Sequence, residues 1–208
     1  ILIVELIAES EEEVEANTLA LITNLKKAQL GYAFPVIKGS DISKVWGLRK
    51  AGLGLLSNIV GDAKAAPVIE DTAIQVQKLP QYIADFNKIL SKHNLYSVHY
   101  AHAGSGELHL RPILNLKTKE GQKQFRTIAE EIATLVKSYN GSLSGEHGDG
   151  RLRGEFIPKI LGEHNYKLCK HLKNIWDPNN IFNPGKIVNT PQMDKNLRFE
   201  PDQQTPAF

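Results

Sequence analysis

The stretch HYAHAGSGELHLRP, residues 99 to 112, constrains the fold more than any other part of the chain. Two strand-length runs, 96–103 and 108–114, flank GlySerGlyGlu, and a short glycine-containing link of this kind predicts an antiparallel hairpin. With 104–107 as a four-residue loop, Ala103 faces Leu108 and His102 faces His109. Directly opposed residues share a face, with Cβ atoms about 4.5–5.5 Å apart, so two imidazoles come within reach of one ion. The same register sets Tyr100 opposite Arg111, and the period-two alternation of a strand puts both on the histidines' face. A metal ion beside a guanidinium suits an anionic substrate, which makes Tyr100 and Arg111 candidate substrate-binding residues.

The second constellation is SerGlyGluHisGlyAspGly at 144–150, where glycines bracket Glu146 and His147 at the end of a short strand. Glycine is needed where a backbone turns at positive φ or closely approaches a ligand. Glu146 completes a set of two histidines and a carboxylate, suited to zinc or another divalent first-row ion with coordination positions left open. His147, next in sequence but pointing elsewhere, is available as a base. His93, His164 and His171 have no such company and read as ordinary surface histidines.

Around these motifs the chain alternates between strand and helix signals. ILIVELIAE reads as a strand, and Ser10 with Glu13 three residues on forms a capping box that predicts a helix. That helix buries Val14, Thr18, Leu21, Ile22 and Leu25, with Gly31 as its cap. AlaPheProValIle (33–37) reads as a strand, and 40–57 as a helix with Trp46, Leu48 and Leu55 inward. A strand at 67–74 precedes a helix from Leu79 and Pro80 to Asn94. Phe125, Ile128, Ile132, Leu135 and Val136 predict a helix over 119–139, closed by Asn140 and Gly141. Helices follow at 154–161 and 166–176. The order predicts an α+β fold of two split β-α-β units with antiparallel sheet, a helical C-terminal segment, and an extended arm over 191–208 that contains Pro191, Pro201 and Pro206.

Composition narrows the functional classes. In 208 residues, 41% apolar content suffices for a packed core, and 25 basic against 23 acidic side chains form no dense cationic block, which argues against nucleic acid. The longest apolar runs are strand-length, so neither a membrane span nor a signal peptide is expected. A single cysteine, Cys169, allows no internal disulfide or cysteine-ligated cluster and fits a reducing, cytoplasmic setting. The opening isoleucine, inside a strand-like run, leads to the expectation that the natural polypeptide begins earlier.

Taken with DPNNIFNPGK at 177–186, the two motifs resemble the C-terminal domain of the FAD-linked oxidases, the family that includes D-lactate dehydrogenase, D-2-hydroxyglutarate dehydrogenase and one of the subunits of glycolate oxidase. The resemblance covers nearly the whole chain, including Val4 and Glu5 and the TrpGlyLeuArgLys element at 46–50. It implies a duplicated ferredoxin-like cap over 1–190, preceded by a domain that holds most of the FAD. It further implies that His102, His109 and Glu146 bind a divalent metal such as zinc, and that His147 is the base near the flavin. Arg49 matches the arginine that binds the substrate carboxylate, and Asn183 and Lys186 belong to the segment approaching the flavin. The reaction implied is oxidation of a small D-2-hydroxy acid by hydride transfer to flavin. The sequence at 193–199 resembles a link into a following iron-sulfur domain, which would make this chain a middle segment. Departures from the family pattern are GlySerGlyGlu where GlyAspGlyAsn is common, Ile69 before Glu70 and Asp71 where a lysine precedes the aspartate, and Arg111 in place of an amide. Two other readings of the same residues stay open: a flavin-independent metal-dependent hydrolase, and a non-catalytic subunit of a redox complex.

Overall fold

A computed structural model of the chain describes residues 1–202, without the side chains at 53 and 55–57, so the inward placement expected of Leu55, and Pro206 in the tail, lie outside the described residues. The chain divides into two compact units, residues 1–52 and 53–208. In the first, helix α1 (Glu11–Lys27) begins where the capping box placed it. The Ser10 hydroxyl accepts from the Glu13 backbone N–H at 3.2 Å, and the Glu13 carboxylate accepts from the Glu9 N–H at 3.3 Å. Val14, Thr18, Leu21, Ile22 and Leu25 are its half-buried face. The left-handed residue that ends it is Gln29, two positions before the expected Gly31. Helix α2 (Ile42–Ser57) runs across the boundary between the units, with Trp46 half-buried and Leu48 exposed, not inward.

The strands expected at 1–9 and 33–37 do not form. A strand is stabilised by a ladder of hydrogen bonds to a neighbour, and among the described residues of this unit there is no neighbouring strand. The described residues contain one sheet.

That sheet lies in the second unit and is antiparallel throughout. It comprises β1 (Lys64–Ala65), β2 (Ile69–Ala73), β3 (Ser97–His102) and β4 (Glu107–Leu114). β4 is central: β3 takes one edge, and β1 and β2 share the other. The edges are set by the backbone, since the Ile113 N–H donates to Tyr96 while the Pro112 carbonyl accepts from Ala66 on the opposite side. The expected strand at 142–144 is reduced to a bridge between Ser142 and Ala73. With helix α3 (Leu79–Lys92) after β2 and helix α4 (Lys119–Ser138) after β4, this is the order of one split β-α-β unit.

Both helices read as amphipathic and pack by their apolar faces, although Ile83 and Leu135, expected inward, are half-buried and Tyr82 is buried in addition. α3 buries Tyr82, Phe86 and Leu90; α4 buries Phe125, Ile128, Ile132 and Val136. They meet Ile69, Leu108 and Leu110 in the core, where each fully buried aliphatic or aromatic side chain contributes roughly 1.5–3 kcal/mol. Thr118 caps α4 by accepting from the Gly121 N–H, and a Cβ on Gly121 would lie 1.8 Å from the Asn115 carbonyl oxygen, so only glycine fits there.

Helices α5 (Ile157–Leu161) and α6 (Glu163–Trp176) follow, and the Asp177 carboxylate accepts from the N–H groups of Ile181 and Phe182, turning the chain. The tail does not leave the domain as an arm over 191–202. Met193 is buried in the core, Asp194 meets Arg126 of α4, and the Asp202 backbone N–H donates to the Lys117 carbonyl. An apolar side chain in register with the core outweighs the proline punctuation that suggested an extended exit. No helix among the described residues is long and apolar enough to cross a membrane.

Ile132→Ala, at a position with no solvent exposure, is expected to lower unfolding free energy by ~2–5 kcal/mol in urea titration, whereas Leu48→Ala should change it by less than ~0.5 kcal/mol.

Candidate metal centre

The hairpin's register differs from the expected one by two residues. Tyr100 pairs with His109, Ala101 with Leu108, His102 with Glu107, and Val98 with Arg111. The turn is a tight 3-10 loop, Ala103–Ser105, closed by Gly106 in the left-handed conformation (φ 79°). Gly106 is forced there because a Cβ would meet the Ile74 carbonyl oxygen at 1.9 Å, while its own carbonyl accepts from the Ile74 N–H at 2.9 Å. A slip of two preserves the face, because side chains alternate with a period of two. His102, Tyr100, His109 and Arg111 therefore still share one side of the sheet, and Glu107 joins them.

The opposite wall is the loop 144–150, and Asp71 fixes it. Asp71 is the extra residue of a β-bulge between Glu70, opposite His109, and Thr72, opposite Leu108. Its φ is 84°, a conformation costing on the order of 1–3 kcal/mol for a residue other than glycine. The bulge turns a wholly buried carboxylate towards the loop. Oδ2 accepts from the Ser144 hydroxyl at 2.6 Å and the His147 N–H at 2.9 Å, Oδ1 from the Glu146 N–H at 2.9 Å, and the Asp71 carbonyl from the Gly145 N–H at 2.8 Å. Burial pushes this carboxyl upward, but the donated hydrogen bonds outweigh it and hold it at about 2. Stability from its ionised form is present above the ordinary carboxyl range and lost as pH falls through about 2. Arg153 closes the base of the loop, donating to the carbonyls of Glu70 at 2.8 Å and Gly148 at 2.7 Å.

Across this gap Glu146 Oε1 stands 3.7 Å from His102 Nε2 and 3.7 Å from His109 Nε2. One ligand atom from each of these three residues lies within 4.8 Å of the others. The two imidazoles meet edge to face, with ring centroids 5.2 Å apart. Burial, followed by the charge of His102, pulls His109 below the ordinary imidazole range, favouring the neutral form that offers a lone pair to a metal. Glu107, buried beside them, is pushed up to about 7, first by burial and then by Asp71 and Glu146. His147 stacks on His109 at 5.5 Å, with Nε2 3.5 Å from Glu146 Oε1 and Nδ1 3.7 Å from Glu70 Oε1.

Tyr100 packs on His109 at a centroid distance of 4.7 Å, and the Arg111 guanidinium lies 5.7 Å from the Tyr100 ring. Arg111 is also paired with Glu70 at 2.5 Å, both side chains being largely buried. Arg49 is half-buried on α2, and Asn183 and Lys186 are exposed in the segment after α6. The backbone N–H of Ile187, next to Lys186, donates to the Gly150 carbonyl at 2.9 Å and so ties that segment to the glycine loop.

Sequence reasoning assigned Glu70, Asp71, Glu107 and Arg153 no role in the site. Two consecutive acids inside ProValIleGluAspThrAlaIle were the available signal, because a buried carboxylate needs a partner. Glu107 was hidden by its placement in the loop, since only the true register makes it a strand residue.

Residues 1–187 match the family described as FAD linked oxidases, C-terminal domain. The chain is 36% identical over 190 residues to D-2-hydroxyglutarate dehydrogenase of Pseudomonas putida, an alignment covering 89% of this chain and 18% of that protein. It is 37% identical over 174 residues to the protein of the same name from Haemophilus influenzae, covering 80% and 17%. To D-lactate dehydrogenase of Archaeoglobus fulgidus it is 29% identical over 175 residues, covering 84% and 37%. The chain thus spans less than a fifth of the length of the first two relatives.

Arg111→Met removes the guanidinium partner of the largely buried Glu70 carboxylate and is expected to cost ~3–5 kcal/mol in chemical denaturation, most of which Glu70→Gln in the same chain should restore. Equal stability of the single and double variants would show that the pair does not hold the sheet face together.

Proposed function

The chain belongs to the family of FAD linked oxidase C-terminal domains, and we propose that it is the substrate- and metal-binding cap of an FAD-dependent dehydrogenase oxidising a D-2-hydroxy acid. The observation that carries this reading is the convergence of His102, His109 and Glu146 with His147 alongside. Two imidazoles and a carboxylate form a donor set for zinc or a similar divalent ion. Atoms bound to one such ion at ~2.0–2.2 Å sit ~3.3–3.6 Å apart at the tetrahedral angle. The separations of 3.7 Å from Glu146 to each histidine need only a small contraction.

When bound, the metal supplies Lewis acidity to the substrate's hydroxyl oxygen, and the flavin supplies an acceptor for the hydride from the carbon. The chain's residues do the rest. His147 has Glu70 on its Nδ1 side and Glu146 on its Nε2 side, and its neutral ring receives the hydroxyl proton. Once that proton has moved, Glu70 and Glu146 both stabilise the imidazolium. A positioned base contributes roughly 10²–10⁴ in rate. Tyr100 and Arg111 border the anionic substrate. Arg49, for the substrate carboxylate, and Asn183 and Lys186, beside the flavin, enter through their positions in the family motifs. Most of the FAD is bound by a preceding domain, consistent with the greater length of the relatives, and electrons leave through a following iron-sulfur domain or another acceptor. A duplicated cap and a cytoplasmic setting belong to the same reading.

The test is elemental analysis of dialysed protein by mass spectrometry, alongside Glu146→Gln. About one divalent ion per chain in the wild type, lost in the variant, is the expected result. Equal metal in the two, or none in either, would sink the assignment. Turnover of a hydrolysable ester or amide by protein free of flavin would favour a hydrolase instead.

A further inference from the structure

The strained bulge in β2 is not required for pairing with β4. A strand of five residues could pair with β4 without an extra residue, and a left-handed bulge position ordinarily takes glycine. Here it is occupied by an aspartate whose carboxylate and carbonyl receive four donors from the consecutive residues Ser144, Gly145, Glu146 and His147. These include the backbone N–H groups of the proposed metal-binding carboxylate and of the proposed base. Removing the bulge would return Asp71 to the ladder, where the residue opposite Leu108 faces the core. A Cβ on Gly145 would crowd Asp71 Oδ1 at 3.3 Å and Glu107 at 3.2 Å, so the loop is seated directly against these carboxylates.

We propose that Asp71 is a positioning residue: its bulged carboxylate sets the place of Glu146 and His147 against the His102–His109 hairpin, and with it the affinity of the centre for a divalent metal. The inference rests on the metal-binding reading above. The histidines come from the hairpin and the carboxylate from the loop 144–150, so their mutual distances depend on how the loop is tied to the sheet. Asp71 makes that tie at both carboxylate oxygens, and Arg153 supports it from below through the carbonyls of Glu70 and Gly148. Loss of a group that orients a metal ligand typically weakens metal binding by about 10–100-fold.

Cobalt(II) titration of the purified protein against a chromogenic chelator, following the visible cobalt absorption, tests this with Asp71→Gly and Asp71→Asn. Glycine tolerates φ 84° and so keeps the bulge while deleting every side-chain bond. The expected result is ~10–100-fold weaker cobalt binding with an altered spectrum in a folded protein, its urea midpoint lowered by the three lost bonds and partly restored by relief of the strained φ. The asparagine variant should fall between, because its amide oxygen can still accept from Glu146 while its nitrogen cannot accept from His147 or Ser144. Wild-type cobalt affinity in a folded Asp71→Gly protein overturns the proposal, as does lowered stability with unchanged affinity. Should the glycine variant not fold, Asp71→Asn decides by the same criterion. A wild-type protein that binds no cobalt overturns the metal-binding reading along with it.

Discussion

The arrangement of the second unit depends on β4 being buried on both faces. Its even-numbered side chains, Leu108, Leu110 and Leu114, enter the core under α3 and α4, and its odd-numbered ones, Glu107, His109 and Arg111, face the other way. A central strand of this kind would usually be apolar on each side. Here one side is ionisable and still covered, so each group there has to be answered by a neighbour, and those answers build the site. Glu70 answers Arg111, and the loop 144–150 with Asp71 covers Glu107 and His109.

Holding these groups together costs stability. Several acids and histidines held within a few ångströms repel when charged alike and lose hydration when buried. The consequences are visible in His109, drawn towards its neutral form, and in Glu107, raised to about 7. Asp71 behaves in the opposite way although it is the most buried of the three, because its donors are fixed by the backbone of the loop it anchors. Burial alone therefore does not decide protonation in this cluster. In Asp71 the oriented donors outweigh burial and hold the carboxyl low.

The elements legible in the sequence were those whose signal is local. The capping box at Ser10 and Glu13, the apolar spacing of 125–136 and the alternation along 108–114 each specify a structure without reference to distant residues. The runs at 1–9 and 33–37 had strand-like composition, but a strand also needs a partner, and composition says nothing about that. The tail failed for a similar reason: Met193 finds the core only because α4 presents a place for it.

The site shows the same division between local and non-local information. The grouping of His102 with His109 followed from alternation and hairpin closure, and it survived a two-residue error in register because an even slip leaves every side chain on its own face. A one-residue error would have separated Tyr100 and His102 from His109 and Arg111. Which residue sits next to His109 was beyond the sequence, because register is set by the contact of Gly106 with Ile74, thirty-two positions earlier in the chain. The role of Asp71 was further out of reach. It requires a bulge, a left-handed backbone and a loop more than seventy residues downstream to act together, and none of the three leaves a mark in the local pattern beyond an acid where a strand should be apolar.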